Sequence, residues 1–294
     1  MLTSLAVGCV LLLSPVETRF VQLHTGAQVA LPEVRRSPDH TRAVILIHGF
    51  RVEWSRRAVR APRFESWQSP GSTLARSLAG DSDVFAFAYG QTVGVDRVCE
   101  GFALLDHVAR LRAAGYTEIV LIGHSAGGLV ARQFVEDHPD AGVTKVIQVF
   151  SPNDGTSWAD ARVCVRRNHE EFLGSLGIPV REECCRLRAG RRIPDGVEFV
   201  CVIGDATGFG DLVISDRTQW PEDLREQGVP AVRLRATHFG MRSRTVAGTL
   251  ARLVREPQPR WTQDQVDFAA RKFLRSPTEM LHDGWDWAVR KLAG

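Results

Sequence analysis

The chain has 294 residues, 44% hydrophobic and 24% charged, values that exclude a wholly disordered polymer. A formal net charge of +3 and a pI near 8.6 are too mild for a nucleic-acid-binding surface, so no nucleic-acid partner is expected. The length allows one large domain or two small ones, and one domain of this size buries roughly three quarters of its extended-chain surface without covalent staples.

The N-terminus, "MLTSLAVGCVLLLSPVETR", carries an apolar run from Leu5 to Leu13. That run is shorter than the about 20 residues that span a bilayer, but it suits the core of a secretory signal. A positive leading region and an Ala-x-Ala cleavage site are both missing. Residues 1–18 are therefore expected to be a signal or N-terminal segment, with export to a periplasm or medium favoured over the cytoplasm. A misplaced start or an N-terminal strand is the plain alternative.

Strand-like runs follow at "AVILIHGF" (43–50), "DVFAFAYG" (83–90), "EIVLIGHS" (118–125), "KVIQVFS" (145–151), "VEFVCVIGD" (197–205) and "AVRLRAT" (231–237). Most are apolar nearly throughout, as parallel strands covered on both faces require. Residues 96–115 and 126–138 read as helices between them. The alternation predicts an α/β chain with a doubly wound, mostly parallel sheet and right-handed crossovers. Residues 156–196 break the rhythm: they hold no strand, and eight arginines there are interleaved with glutamates. A solvated, partly helical lid or cap insertion is expected there, within a main domain over 19–255. Residues 256–294, with Trp261, Trp285 and Trp287, read as a C-terminal helical extension.

None of the six cysteines forms a C-x-x-C pair, so no structural metal is expected, and no cofactor motif appears. Cys164 and the Cys184-Cys185 pair bracket the polar segment, and export would permit a disulfide between them. Cys99 and Cys201 lie in periodic segments and read as small buried side chains.

Gly123-His124-Ser125-Ala126-Gly127 matches G-x-S-x-G between a predicted strand and a predicted helix, the context of a nucleophile elbow. Such a turn exposes the Ser125 hydroxyl at a helix N-terminus, where free N–H groups stabilise negative charge. A phosphate loop is excluded, because G-x-x-x-x-G-K-[ST] is absent. A serine nucleophile needs a base and an oxyanion hole. The backbone N–H groups of Ala126 and of Phe50, in "ILIHGF", are the candidate donors. His238, after the last strand, is the candidate base. His48 precedes the nucleophile and suits shaping the loop, while His124 points away from Ser125. Asp211, Asp205 and Asp216 follow the penultimate strand and Asp154 the one before, leaving four candidate acids. His107 sits mid-helix and His138 marks a helix end; His24, His40, His169 and His282 read as exposed.

The segments "ILIHGF", "GHSAGGLVAR", "SPNDGTS", "GDLVISDRTQW" and "THFGMRS" together resemble bacterial lipases and esterases of the α/β-hydrolase superfamily, over about 43–250. The resemblance implies an α/β-hydrolase fold, Ser125 as nucleophile, His238 as base, and Phe50 and Ala126 as oxyanion donors. It favours Asp211 as the acid, since such lipases carry theirs in an Asp-(Gly)-x-Val-x-x-x-Ser-like turn. This chain departs from that turn in placing Leu212 after Asp211 and Asp216 where a small residue is usual. The implied activity is hydrolysis of a small-molecule or lipid carboxylic ester, with a membrane surface entering only as a source of lipid. The same triad serves thioesterases and acyltransferases, and an inactive hydrolase fold used for binding is the alternative outside enzymes. Phe172, Leu173, Leu176 and Ile178 in the insertion suit either an acyl pocket or internal packing.

Overall fold

The computed structural model describes residues 16–24, 27–30, 35–159, 169–208 and 210–274. The expected signal segment therefore lies largely outside the described residues, as do Cys164, Trp285 and Trp287. Eight strands form one sheet: β1 (Thr18–His24), β2 (Ala27–Ala30), β3 (Arg42–Ile47), β4 (Asp83–Tyr89), β5 (Glu118–His124), β6 (Lys145–Val149), β7 (Glu198–Gly204) and β8 (Ala231–Leu234). Their order is β2-β1-β4-β3-β5-β6-β7-β8, parallel from β4 to β8, with β1 antiparallel to both β2 and β4. This is the α/β-hydrolase fold.

The central strands are fully buried because alternate residues feed two separate cores. Ile45, Ile47, Phe85 and Leu121 face one side. There they meet Leu104 and Val108 of α4 (Ala103–Ala113) and Leu129 and Phe134 of α5 (Ala126–Asp137). Val44, Leu46, Val120 and Ile122 face the other, against Leu74 and Leu78 of α2 (Thr73–Leu78) and Leu250 and Val254 of α10 (Arg244–Arg255). Two short helices, α1 (Arg56–Arg60) and α9 (Glu222–Glu226), lie in the connections before α2 and before β8.

Three local features differ from the pattern read in the sequence. The antiparallel hairpin β1–β2 was not among the predicted strands, since "TRFVQLH" mixes polar and apolar residues at a sheet edge. The helix expected over 96–115 is two helices, α3 (Val95–Cys99) and α4. The break falls at Glu100–Phe102, where Gly101 closes a turn onto the Val98 carbonyl and Phe102 is exposed. Strand β8 stops at Leu234, short of the predicted run.

The segment after β6 is also less solvated than its composition suggests. Helix α6 (Glu170–Gly174) buries Phe172 and Leu173 within the larger core, and the turn leading to α7 (Ile178–Leu187) buries Leu176 there. Arg181 is 4% exposed and donates to Asp96 at 2.9 Å, fastening α7 to α3. His169, expected to be exposed, is buried and accepts the Glu53 N–H at 2.8 Å. Cys184 and Cys185 are free thiols, directed at the Asp96 carboxylate and the Asn153 carbonyl. Toward the C-terminus, helix α11 (Gln263–Phe273) starts at a Thr262–Gln265 capping box and buries Val266 and Ala269 in the same core. No described helix is long and apolar enough to cross a membrane.

Candidate active site

Strand β5 ends and α5 begins within one residue, and the turn between them is Ser125. Its φ of 54° and ψ of −127° lie where a side chain is disfavoured, the strained backbone that a nucleophile elbow would require. Close approach explains the flanking glycines. A Cβ on Gly123 would strike the Gly127 carbonyl oxygen, and one on Gly127 would strike the carbonyl oxygens of Ile47 and His48. The turn is pinned by the Ser125 N–H donating to Val149 at 2.8 Å and the Gly128 N–H donating to Ser125 at 2.9 Å.

Ser125, His238 and Asp211 come together. His238 Nε2 lies 3.1 Å from Ser125 Oγ, and His238 Nδ1 lies 2.7 Å from Asp211 Oδ2. Asp211 is completely buried, and its other oxygen accepts the N–H groups of Val213 at 3.0 Å and Ile214 at 2.8 Å. The His238 backbone N–H also donates to the Asp211 carbonyl at 2.9 Å, so side chain and backbone both tie His238 to Asp211. With the carboxylate accepting from Nδ1–H, Nε2 of a neutral ring is left free to accept the Ser125 proton.

The other candidate acids lie elsewhere. Asp205 is engaged by Arg233 at 2.8 Å and by the Gly208 N–H at 2.5 Å. Asp154 sits among Arg132, Arg181, Asp223 and Arg225; burial, reinforced by Asp223, pushes its carboxyl up to about 6. Asp216 opens helix α8 (Asp216–Gln219) and accepts the Arg217 N–H at 2.8 Å. Burial raises it to about 6 as well.

The loop after β3 carries Phe50. Neither the Phe50 N–H nor the Ala126 N–H is taken by another described residue. His48 shapes this loop as a neutral ring. Its Nδ1–H donates to Gly49 at 2.7 Å, while Nε2 accepts the Tyr89 N–H at 3.1 Å. Burial pushes its pKa down to about 4. Gln91 closes the loop from β4, accepting the Arg51 N–H at 2.7 Å and donating to the Arg51 carbonyl at 2.9 Å.

A cavity of about 500 Å³ opens over Ser125, a size suited to a small organic ligand. Its wall is mainly apolar: Val52, Trp67, Trp158, Leu173, Leu176, Ile214 and Met241 line it. Leu173 and Leu176 of the insertion both wall this cavity and pack into the core. Among the described residues no group of three or more His, Cys, Asp or Glu side chains could hold a metal.

Residues 9–167, more than half of the chain, match a family described as a domain of unknown function, DUF7379. The chain belongs to this family. No curated protein matches this family member. Among solved structures it is similar to lipase BlEst2 of Bacillus licheniformis in mature form, with a TM-score of 0.56 and 12% identity over 74% of this chain and 93% of the lipase. It is also similar to the metagenomic carboxyl esterase MGS0156, with a TM-score of 0.52 and 15% identity over 78% and 80% of the two chains. Aspergillus fumigatus lipase B gives a TM-score of 0.51 and 16% identity over 76% of this chain and 56% of the lipase. At such identities the likeness establishes the fold.

Two residues of this DUF7379 member carried no signal in the sequence. Gln91 follows β4 without any motif. His124, read only as pointing away from Ser125, uses Nε2 to donate to the His238 carbonyl at 2.9 Å, with the two rings 4.9 Å apart. Burial first, then the neighbouring His238, pushes the His124 pKa down to about 3, so it donates as a neutral ring.

Proposed function

We propose that the chain is a serine hydrolase that cleaves carboxylic esters through an acyl-enzyme. The observation carrying this reading is the unbroken hydrogen-bonded series Ser125–His238–Asp211 at the floor of an apolar cavity. Ser125 Oγ attacks the ester carbonyl as His238 Nε2 takes its proton, and Asp211 holds the imidazole in the tautomer that allows this. The oxyanion is received by the N–H groups of Phe50 and Ala126, each worth about 3 kcal/mol in the transition state. His238 then protonates the leaving alcohol, and water, activated by the same ring, releases the acid and restores Ser125.

The test combines a fluorophosphonate probe with turnover of p-nitrophenyl esters of graded chain length. Ser125 is expected to be the labelled residue, and Ser125→Ala to lower ester turnover by orders of magnitude. An unlabelled Ser125, or turnover surviving in Ser125→Ala, overturns the reading and leaves the fold as a binding protein.

A further inference from the structure

Three charged side chains line the cavity over Ser125: Arg51, Glu65 and Arg242. Two of them are matched. Arg51 Nε meets Glu65 Oε1 at 3.0 Å, and the same guanidinium reaches Glu53 at 3.5 Å. Arg242 is exposed to the cavity and solvent, and has no ion pair or hydrogen bond among the described residues. Burial pushes the Glu65 carboxyl up while Arg51 draws it down. Arg51 has carboxylates beside it in Glu65 and Glu53, so the unmatched charge of the lining is that of Arg242.

The local sequence gives this charge nothing to cancel it. Residues 227–255 contain six arginines and no Asp or Glu. Arg233, Arg252 and Arg255 find carboxylates in Asp205, Glu256 and Asp81. Arg235, Arg242 and Arg244 find none among the described residues. Of these three, only Arg242 lines the cavity. It closes the short turn Gly240–Arg242, four residues after His238, and its neighbour Met241 is buried in the cavity wall. The cation is therefore carried on the loop that carries the base.

We propose that the cavity selects esters bearing a second, anionic group, a carboxylate or a phosphate, which Arg242 receives while the ester carbonyl sits at Ser125. This rests on the hydrolase reading above and names the substrate class for it. A guanidinium presents paired donors that match either anion, and the unmatched charge of Arg242 at the cavity draws such substrates in. Because Arg242 is solvated, the gain is modest and sensitive to salt.

The decisive measurement is the ratio of kcat/KM for an anionic ester to that for an uncharged ester of equal length. Suitable pairs are a p-nitrophenyl hemiester of a dicarboxylic acid against the matching alkanoate, and a phosphate-bearing ester against its alcohol. The wild-type ratio is expected to exceed one at low ionic strength and to shrink as salt is added. Arg242→Gln should lower that ratio about three- to tenfold, Arg242→Lys should keep part of it, and Arg242→Glu should invert it. Preference for the carboxylate pair or for the phosphate pair identifies which anion is taken, and either supports the proposal. Fluorophosphonate labelling of Ser125 in each variant reports an intact elbow. If Ser125 labels and the uncharged ester is cleaved, but the ratio is the same in wild type, Arg242→Gln and Arg242→Glu, this proposal falls and the hydrolase reading stands. If neither ester is cleaved by the wild type, the hydrolase reading fails and takes this one with it.

Discussion

Ser125 holds a backbone conformation that costs of order 1–3 kcal/mol, and the strain persists because β5, α5 and the loop after β3 leave the residue no other path. Around it each side chain has a separable task. On the proposed mechanism Asp211 fixes the tautomer of His238, so Asp211→Asn is expected to lower kcat on the order of 10⁴-fold. Asp205→Asn, which alters a carboxylate already engaged by Arg233, should leave most of the activity. Steady-state kinetics on one ester decides between them, and equal losses would remove Asp211 from its role. His124 acts through the backbone carbonyl of His238. His124→Phe deprives that buried carbonyl of its donor, a loss worth about 1–3 kcal/mol. The loss should fall on kcat with KM nearly constant, and His124→Gln should recover part of it. An unchanged kcat in His124→Phe would show that the hydrogen bond does not position the base.

Elements place these residues by where they end. Parallel strands β3, β5, β7 and β8 all finish on the same side of the sheet, so the loops after them deliver Phe50, Ser125, Asp211 and His238 to one edge. Helix α7 is fastened to α3 by the buried Arg181 and the partly exposed Asp96, while Phe172 of α6 packs against Phe50 and Tyr89. Removing Arg181 takes away a buried cation and leaves Asp96, which is partly solvated and still accepts from Gln133. Arg181→Ala is therefore expected to destabilise the fold by about 1–2 kcal/mol in chemical denaturation, with Ser125 still labelled by the probe under native conditions. A loss below 1 kcal/mol would mean that α7 is held by its apolar contacts alone. This attachment was hard to read in advance because an arginine-rich stretch has the composition of a solvated surface. The pairing that buries Arg181 comes from Asp96, 85 residues away along the chain.

The whole molecule carries opposing sets of buried titrating groups. Burial holds His48 and His107 at about 4 and His124 at about 3, against an ordinary value of 6.5. The stability these rings contribute is full above pH 6.5 and is lost as pH falls through their folded values, because the unfolded chain binds protons first. Asp154 and Asp216, raised from 3.8 to about 6, work in the opposite sense: their contribution is full below pH 3.8 and is lost as pH rises through about 6. Melting temperatures measured from pH 4 to 7 separate the two sets. His107→Phe, in a ring that stacks on Phe20, should flatten the acid-side slope, and Asp216→Asn should steepen it. The same slope in both variants as in the wild type would refute these assignments.

Local sequence was enough for what depends on local physics. Continuous apolar runs specify buried parallel strands, and Gly-x-Ser-x-Gly at a strand–helix junction specifies the strained turn at Ser125, because both follow from the sterics of neighbouring residues. That His238, which follows the last strand, stands beside Ser125 was legible too. The carboxylate that joins it was favoured only by the resemblance, which pointed to Asp211, and not by the residues themselves. Asp154, Asp205, Asp211 and Asp216 share a residue type and comparable positions in the chain order, and only the folded loop turns Asp211 onto the His238 ring while Arg233 occupies Asp205. The same holds for the His124 hydrogen bond, the burial of Arg181 and the unmatched charge of Arg242. Each depends on which distant groups the sheet brings within a few ångströms, and that is decided by tertiary structure.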